Sequence, residues 1–105
     1  MAFDYKINVA IIYHGNNLCS FVAPICSIPK KNKEEFYKKL LIANSFGIEN
    51  GGAVLSIDNE EKKIILSLTF IVSTFSSKLF RIVLLNFVTM AEKNIVKYEK
   101  LLNQS

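Results

Sequence analysis

The sequence predicts an α+β fold, with a twisted, mainly antiparallel sheet, a helix in the middle of the chain and a long C-terminal helix. Three observations support this. Apolar and polar residues alternate in the first quarter of the chain and again after residue 62, as in half-buried strands. Residues 33–46 carry apolar side chains at helical spacing. Residues 79–91 are almost entirely apolar, and an apolar stripe at helical spacing follows from Glu92 onwards. With 105 residues, the chain is expected to form one domain, 1–105.

Two strands are predicted at the start of the chain. The first covers residues 5–13, and its apolar face is formed by Tyr5, Ile7, Val9, Ile11 and Tyr13. The next four residues, His14 to Asn17, predict a turn. The second strand covers Leu18 to Ile28 and contains Pro24. Because proline donates no hydrogen bond to a neighbouring strand, Pro24 predicts a bulge or an edge position.

The middle helix is predicted to begin after Asn32, which is placed to cap it, with Glu35 three residues on as in a capping box. Its buried face is expected to include Phe36, Leu40, Ala43 and Phe46. Gly47 can adopt the left-handed conformation that ends a helix.

A β-hairpin is predicted after the glycine pair Gly51–Gly52. Its strands are residues 53–57 and 62–70, joined by a turn over residues 58–61. The alternation of the second strand places four residues on one face: Ile64, Leu66, Leu68 and Phe70.

The last helix has three candidate capping residues, Ser73, Thr74 and Ser76. Residues 79–91 are almost entirely apolar, which indicates a helix that is buried on several sides or lies in an interface. From Glu92 onwards the pattern is amphipathic.

The residues give little support for catalysis or for a metal site. His14 is the only histidine, and Cys19 and Cys26 are too far apart on one strand to form a disulfide. These three side chains do not supply a zinc site, so we expect no enzyme activity, no metal and no cofactor. No run of about 20 apolar residues is present, so no membrane insertion is expected.

The net charge of +4 reflects a lysine cluster around the middle helix. Its members are Lys30, Lys31, Lys33, Lys38 and Lys39. A patch for a polyanion such as RNA is one interpretation. The cluster contains no arginine and is diluted by Glu34 and Glu35, so a solvated helix face is favoured.

Several segments together resemble a known family. They are Leu40-Leu41-Ile42-Ala43-Asn44, residues 51–58 (GGAVLSID), residues 64–68 (IILSL) and residues 87–92 (FVTMAE). Their order and spacing resemble the class I type III secretion chaperones, the Tir-chaperone family, over roughly residues 5 to 103. The chain departs from that family in lacking its usual N-terminal helix and first strand, and in being basic where the family is typically acidic.

The resemblance implies a secretion-chaperone-like fold and a cytoplasmic bacterial protein. Such a chaperone binds the N-terminal segment of a secreted effector and keeps it unfolded and export-competent. The expected partners are the effector, a second copy of the chain in a homodimer, and the export ATPase. Nucleic acid is not an expected partner. Two alternatives stay open: a small basic nucleic-acid-binding module, and a subunit that is stable only within a larger assembly.

Site residues are expected at the first strand and around the middle helix. The missing family strand leaves the first strand open at its edge, so Ile7, Val9 and Ile11 are expected to bind the effector, unless they form part of the core. The expected dimer interface consists of Phe36, Leu40, Phe46 and Val54.

Overall fold

The computed structural model describes residues 7–45, 50–58, 60 and 62–103. The strands in this part of the chain are β1 (Ala10–Gly15), β2 (Leu18–Ser27), β3 (Val54–Asp58) and β4 (Lys63–Ile71). The helices are α1 (Lys33–Ala43) and α2 (Ser77–Asn103), and a 3-10 turn spans Val72–Thr74. The strands form one antiparallel sheet in the order β1-β2-β4-β3, so that β1 and β3 are its edges. The predicted α+β fold is confirmed.

The first hairpin differs from its prediction. The turn consists only of Asn16 and Asn17, whose φ angles of 52° and 67° are both left-handed. A two-residue turn of this kind matches the twist of a β-hairpin, and asparagine adopts it more readily than most residues. The predicted four-residue turn is therefore wrong, because His14 and Gly15 belong to β1. The described residues 7–9 precede the strand, whereas they were predicted to lie within it.

A β-bulge interrupts β2 where Pro24 predicted a bulge or an edge. Pro24 pairs with Ile65, and Cys26 pairs with Ile64, which leaves Ile25 as the extra residue. The bulge places Ile25 in the core and leaves the Cys26 thiol half-buried. Burial raises the pKa of this thiol from 9.0 to about 11, because a thiolate would lose its hydration. The thiol is therefore protonated and unreactive at neutral pH.

The core lies between the helices and one face of the sheet, which we call the covered face. The alternation predicted for β4 is confirmed, since Ile64, Leu66 and Phe70 are buried there and Leu68 is half-buried. The ring of Phe21 on β2 is fully buried among three other phenylalanines. Its ring centroid lies 4.8 Å from Phe70, 5.3 Å from Phe80 and 5.7 Å from Phe87. This aromatic cluster attaches α2 to the sheet, and each pair adds roughly 0.5–1.5 kcal/mol beyond its buried area.

The long helix α2 begins after Ser76, one of the three predicted capping residues. The Ser76 hydroxyl accepts a hydrogen bond from the Leu79 N–H at 3.1 Å, and its carbonyl accepts one from the Phe80 N–H at 2.9 Å. The core face of α2 is formed by Phe87, Ala91, Asn94 and Tyr98. Within the described residues, no helix combines the length and the apolar character that crossing a bilayer requires.

The shorter helix α1 packs on α2 and is joined to the edge strand β3. The Phe36 ring meets Tyr98 of α2 edge to face, with 5.8 Å between centroids. Just past the helix, the Asn44 side-chain amide donates to the Leu55 carbonyl at 2.7 Å and accepts from the Leu55 N–H at 2.8 Å. The predicted side-chain cap at Asn32 is wrong. Asn32 has a φ of 57°, whereas a capping side chain requires an extended backbone, and it makes no capping hydrogen bond.

Candidate functional site

The two edges of the sheet differ in their exposure to a partner. In an antiparallel edge strand, alternate residues direct both their N–H and their C=O away from the sheet. Leu55 of β3 is such a residue, and its N–H and C=O are both bonded to the amide of Asn44. Asn44 therefore takes the place that a residue of a further strand would occupy, and it closes the β3 edge at this point.

A groove lies beside the other edge strand, β1. It begins at residues 7–10 and extends over one face of the sheet, where Val22 and Pro24 of β2, Ile65 of β4 and Asp58 of β3 line it. Its volume is about 490 Å³. We call it the β1 groove. Most of the residues that line it are apolar, although polar and apolar atoms share its surface about equally. Asp58 is the only ionisable side chain among the described residues that line it. The groove can therefore take apolar side chains from an extended segment next to β1.

The three residues predicted to bind the effector fall into two places. Ile7 and Val9 line the β1 groove and are half-buried against the core. Their position is therefore compatible both with effector binding and with the alternative, packing in the core. Ile11 lies in β1 opposite Phe21, which puts it on the covered face of the sheet. Its side chain is 54% exposed there. The structure thus brings Ile7 and Val9 together and separates Ile11 from them.

The opposite face of the sheet, which we call the open face, carries a chain of polar contacts. His14 Nε2 lies 2.7 Å from Ser20 Oγ, and Ser20 Oγ lies 2.7 Å from Thr69 Oγ1. These residues come from three adjacent strands, β1, β2 and β4. The hydrogen bonds therefore connect the three strands across the open face. His14 was predicted to lie in a surface turn, but it lies in β1 and its side chain contacts Ser20.

The residues predicted for the dimer interface also separate. Phe36 and Leu40 are buried in the core of this chain, and Phe46 lies outside the described residues. Val54 on β3 is 44% exposed.

Two exposed residues of α1 were not predicted: Leu41 is 72% exposed and Ile42 is 61% exposed. Leu41 lies three residues before Asn44, which contacts β3, so Leu41 is on the flank of α1 beside the β3 edge. The continuous apolar run from Leu40 to Ala43 was the available signal, since such a run exposes apolar side chains on more than one side of a helix.

The described residues form no metal site. No three side chains of the types His, Cys, Asp and Glu come close enough there to hold a metal ion.

Two of three comparisons with known proteins found matches. The sequence model of the Tir chaperone protein (CesT) family matches residues 14–94. A search of curated proteins found no match. Among solved structures, the ExsC–ExsE complex contains a chain that superimposes with a TM-score of 0.70 at 14% identity, over 90% of this chain and 71% of that one. The HopA1–SchA chaperone–effector complex gives a TM-score of 0.66 at 11% identity, over 90% and 72% of the two chains. The predicted family resemblance is confirmed.

Proposed function

We propose that this chain, which belongs to the Tir chaperone protein (CesT) family, binds the N-terminal segment of its type III secretion effector along β1. The family assignment makes it a chaperone for an effector of that secretion system. The HopA1–SchA structure is itself a chaperone–effector complex, and the fold is shared. No comparison supports a nucleic-acid-binding module.

The observation that carries this proposal is the difference between the two sheet edges. Asn44 covers the outward hydrogen-bonding groups of β3 at Leu55, whereas β1 is an edge strand that begins at the β1 groove. An extended segment can pair with the free edge of β1 by main-chain hydrogen bonds. The part of the segment that crosses residues 7–10 can then place apolar side chains in the β1 groove. Main-chain pairing is indifferent to sequence, so the groove would select the apolar side chains. Holding the segment extended keeps it from folding before export.

The test compares two isoleucines on β4. Ile65 lines the β1 groove, and Ile71 lies six residues further along the same strand, exposed at its other end. Side chains alternate between the two faces along a strand, and these two residues are an even number of positions apart. Both side chains therefore lie on the open face of the sheet. Tagged wild-type protein, Ile65→Lys, Val9→Lys and Ile71→Lys are expressed in the native cell, and the captured partners are identified by mass spectrometry. The binding of the identified effector segment is then measured by calorimetry.

Ile65→Lys and Val9→Lys should weaken binding by roughly 10–100-fold, since each removes about 1.5–3 kcal/mol of apolar burial. Ile71→Lys should bind like the wild type, and circular dichroism should show all three variants folded. Binding should persist at about 0.5 M salt, where screening falls to a few ångströms. Equal losses in Ile65→Lys and Ile71→Lys would refute the groove. Binding that disappears in salt and is competed by RNA would favour a nucleic-acid-binding module instead.

We further propose that the chain forms a homodimer through the exposed flank of α1 and the adjoining β3. Leu41 and Val54 would contact the partner, and the buried side chains of Phe36 and Leu40 would support α1 from beneath. Phe46, which lies outside the described residues, remains a predicted contributor. Light scattering should show a dimer at micromolar concentration and a monomer for Leu41→Glu. Leu85→Glu, at an exposed position on α2, is the matched control and should stay dimeric. A monomeric wild-type protein would refute the proposal.

The remaining expectations join the same proposal. The chaperone would act in the bacterial cytoplasm, would present the bound effector to the export ATPase and would catalyse no reaction. Its contribution is to bind a segment and hold it unfolded, which requires no group-transfer chemistry.

A further inference from the structure

A second groove lies between α1 and the last turns of α2, away from β1. Its floor includes Ile42, Ala43 and Leu101, and its rim is formed by Lys39, Lys97 and Lys100. Its volume is about 370 Å³. We call it the helix groove. Within the described part of the chain, no acidic side chain lines it.

The two helices build this groove from the same local pattern. On α1, Lys39 is followed four residues later by Ala43, and on α2, Lys97 is followed four residues later by Leu101. Residues four apart are neighbours along one side of a helix. Each helix thus contributes a basic side chain at the rim and an apolar side chain at the floor. Lys97 also lies over the Tyr98 ring, with its Nζ 5.4 Å from the ring centroid.

We propose that the helix groove binds an acidic amphipathic peptide segment of a partner protein. Lys39 and Lys100 place positive charge on both helices at the rim, which attracts a partner that carries carboxylates. Ile42, at 61% exposed, offers apolar area that a purely ionic ligand would leave in contact with water. A segment with acidic side chains on one side and apolar side chains on the other satisfies the rim and the floor together.

The groove suits a peptide better than RNA. Proteins that bind single-stranded nucleic acid stack bases on exposed aromatic rings or on arginine. The aromatic residue of this groove, Tyr98, is fully buried, and the cations are lysines. The exposed part of the floor is therefore aliphatic.

This surface is separate from the two surfaces of the proposed function. Lys39 and Ile42 lie on the flank of α1 towards α2, whereas Leu41 lies on the flank towards β3. None of the residues that line the helix groove lines the β1 groove. Loss of peptide binding at the helix groove can therefore be distinguished from loss of effector binding.

The experiment uses the whole protein and synthetic peptides in fluorescence anisotropy. The probe is a labelled peptide of about 12 residues, made of glutamate and leucine with leucine every third or fourth position, as on one side of a helix. Two control peptides replace its glutamates by lysine or its leucines by serine. A uridine oligonucleotide is the fourth probe. The variants are the double variant Lys39→Glu with Lys100→Glu, and Ile42→Ser. The control is the double variant Lys38→Glu with Lys93→Glu, which makes the same change in net charge, one on each helix, at residues that do not line the groove. The single variant Lys38→Glu is measured beside it.

The wild-type protein should bind the glutamate–leucine peptide in preference to all three other probes. The groove double variant and Ile42→Ser should each weaken this binding by about tenfold or more. Lys38→Glu and the control double variant should stay within about twofold of the wild type, as expected for exposed charges. All variants should retain capture of the effector and the dimeric state. Equal binding of the leucine-free peptide, tighter binding of the RNA, an equal loss in either control variant, or loss of effector capture in the groove variants would each overturn the proposal.

Discussion

Replacing Asn44 with alanine should destabilise the protein by about 1–2 kcal/mol. The substitution removes two hydrogen bonds to Leu55, of 2.7 and 2.8 Å, and a typical hydrogen bond contributes about 1 kcal/mol to folding. Asn44 is half-buried, so water can reach the released groups of Leu55 in part, which keeps the loss below that of a fully buried pair.

Urea denaturation measures this loss directly. With an m-value of about 1–2 kcal/mol/M for a small domain, the midpoint should fall by about 1 M. The protein concentration must be equal in every sample, because the stability of a dimer depends on it. Asn86→Ala, at an exposed residue of α2, is the control and should be neutral or slightly stabilising, since alanine is the better helix former.

Asn44→Asp provides a sharper test of the geometry. The aspartate retains the acceptor for the Leu55 N–H, but places an oxygen where Nδ2 donates to the Leu55 carbonyl. Protonation restores a donor, so the folded state should hold this proton more tightly than the unfolded chain. The free energy of unfolding of Asn44→Asp, relative to wild type, should therefore rise as the pH falls toward about 4.

One result for Asn44→Ala would refute the reasoning. If its loss of stability lies within about 0.3 kcal/mol of that in Asn86→Ala, the difference is smaller than the contribution of a typical hydrogen bond.

Three further predictions concern the core, the bulge and the open face. Phe21→Ala should cost about 3–5 kcal/mol in urea denaturation, because it empties the centre of the aromatic cluster; a loss under about 1 kcal/mol would contradict that packing. Between pH 9 and about 11 the folded protein retains a Cys26 proton that the unfolded chain has released, so the free energy of unfolding should fall across this range. This fall should be shallower in Cys26→Ala, and equal pH profiles would show that the thiol is not desolvated. His14→Ala should cost about 1 kcal/mol, because Ser20 keeps its contact with Thr69, and effector binding should be unchanged. Loss of binding in folded His14→Ala would place this residue in the binding surface.

The spacing of apolar residues along the chain and the chemistry of single residues such as Pro24 predicted the sheet and its helices well. The alternation of Ile64, Leu66 and Phe70 identified their buried face, because one face of a strand shares one environment. Pro24 indicated the bulge, because it cannot donate a hydrogen bond within the sheet. In the first hairpin, apolar alternation continued through residues 7–9, where no strand forms, and two asparagines sufficed for the turn. Asn32 is a good capping residue by type, but its own left-handed backbone prevents the cap.

The candidate site was harder to predict because it depends on which apolar side remains exposed. The sequence marks Phe36 and Leu40 as apolar, but only the structure shows that both are buried within the chain, with Phe36 against Tyr98. Asn44 belongs to the family-like segment 40–44, yet its contact with Leu55 depends on how α1 meets β3. Ile7 and Val9 were predicted to bind the effector, and in the structure both line the β1 groove.

The aromatic cluster has a consequence for the order of synthesis. Phe21 emerges from the ribosome early, whereas its partners Phe80 and Phe87 are among the later residues of the chain. Contacts between distant parts of a chain form only after the intervening residues have been made. Until α2 arrives, the covered face of the sheet exposes the apolar side chains that make nascent proteins prone to aggregate. A chaperone that binds the unfolded segment of another protein therefore passes through a stage in which its own core residues are exposed. They become buried only when α2, its last helix, packs on the sheet.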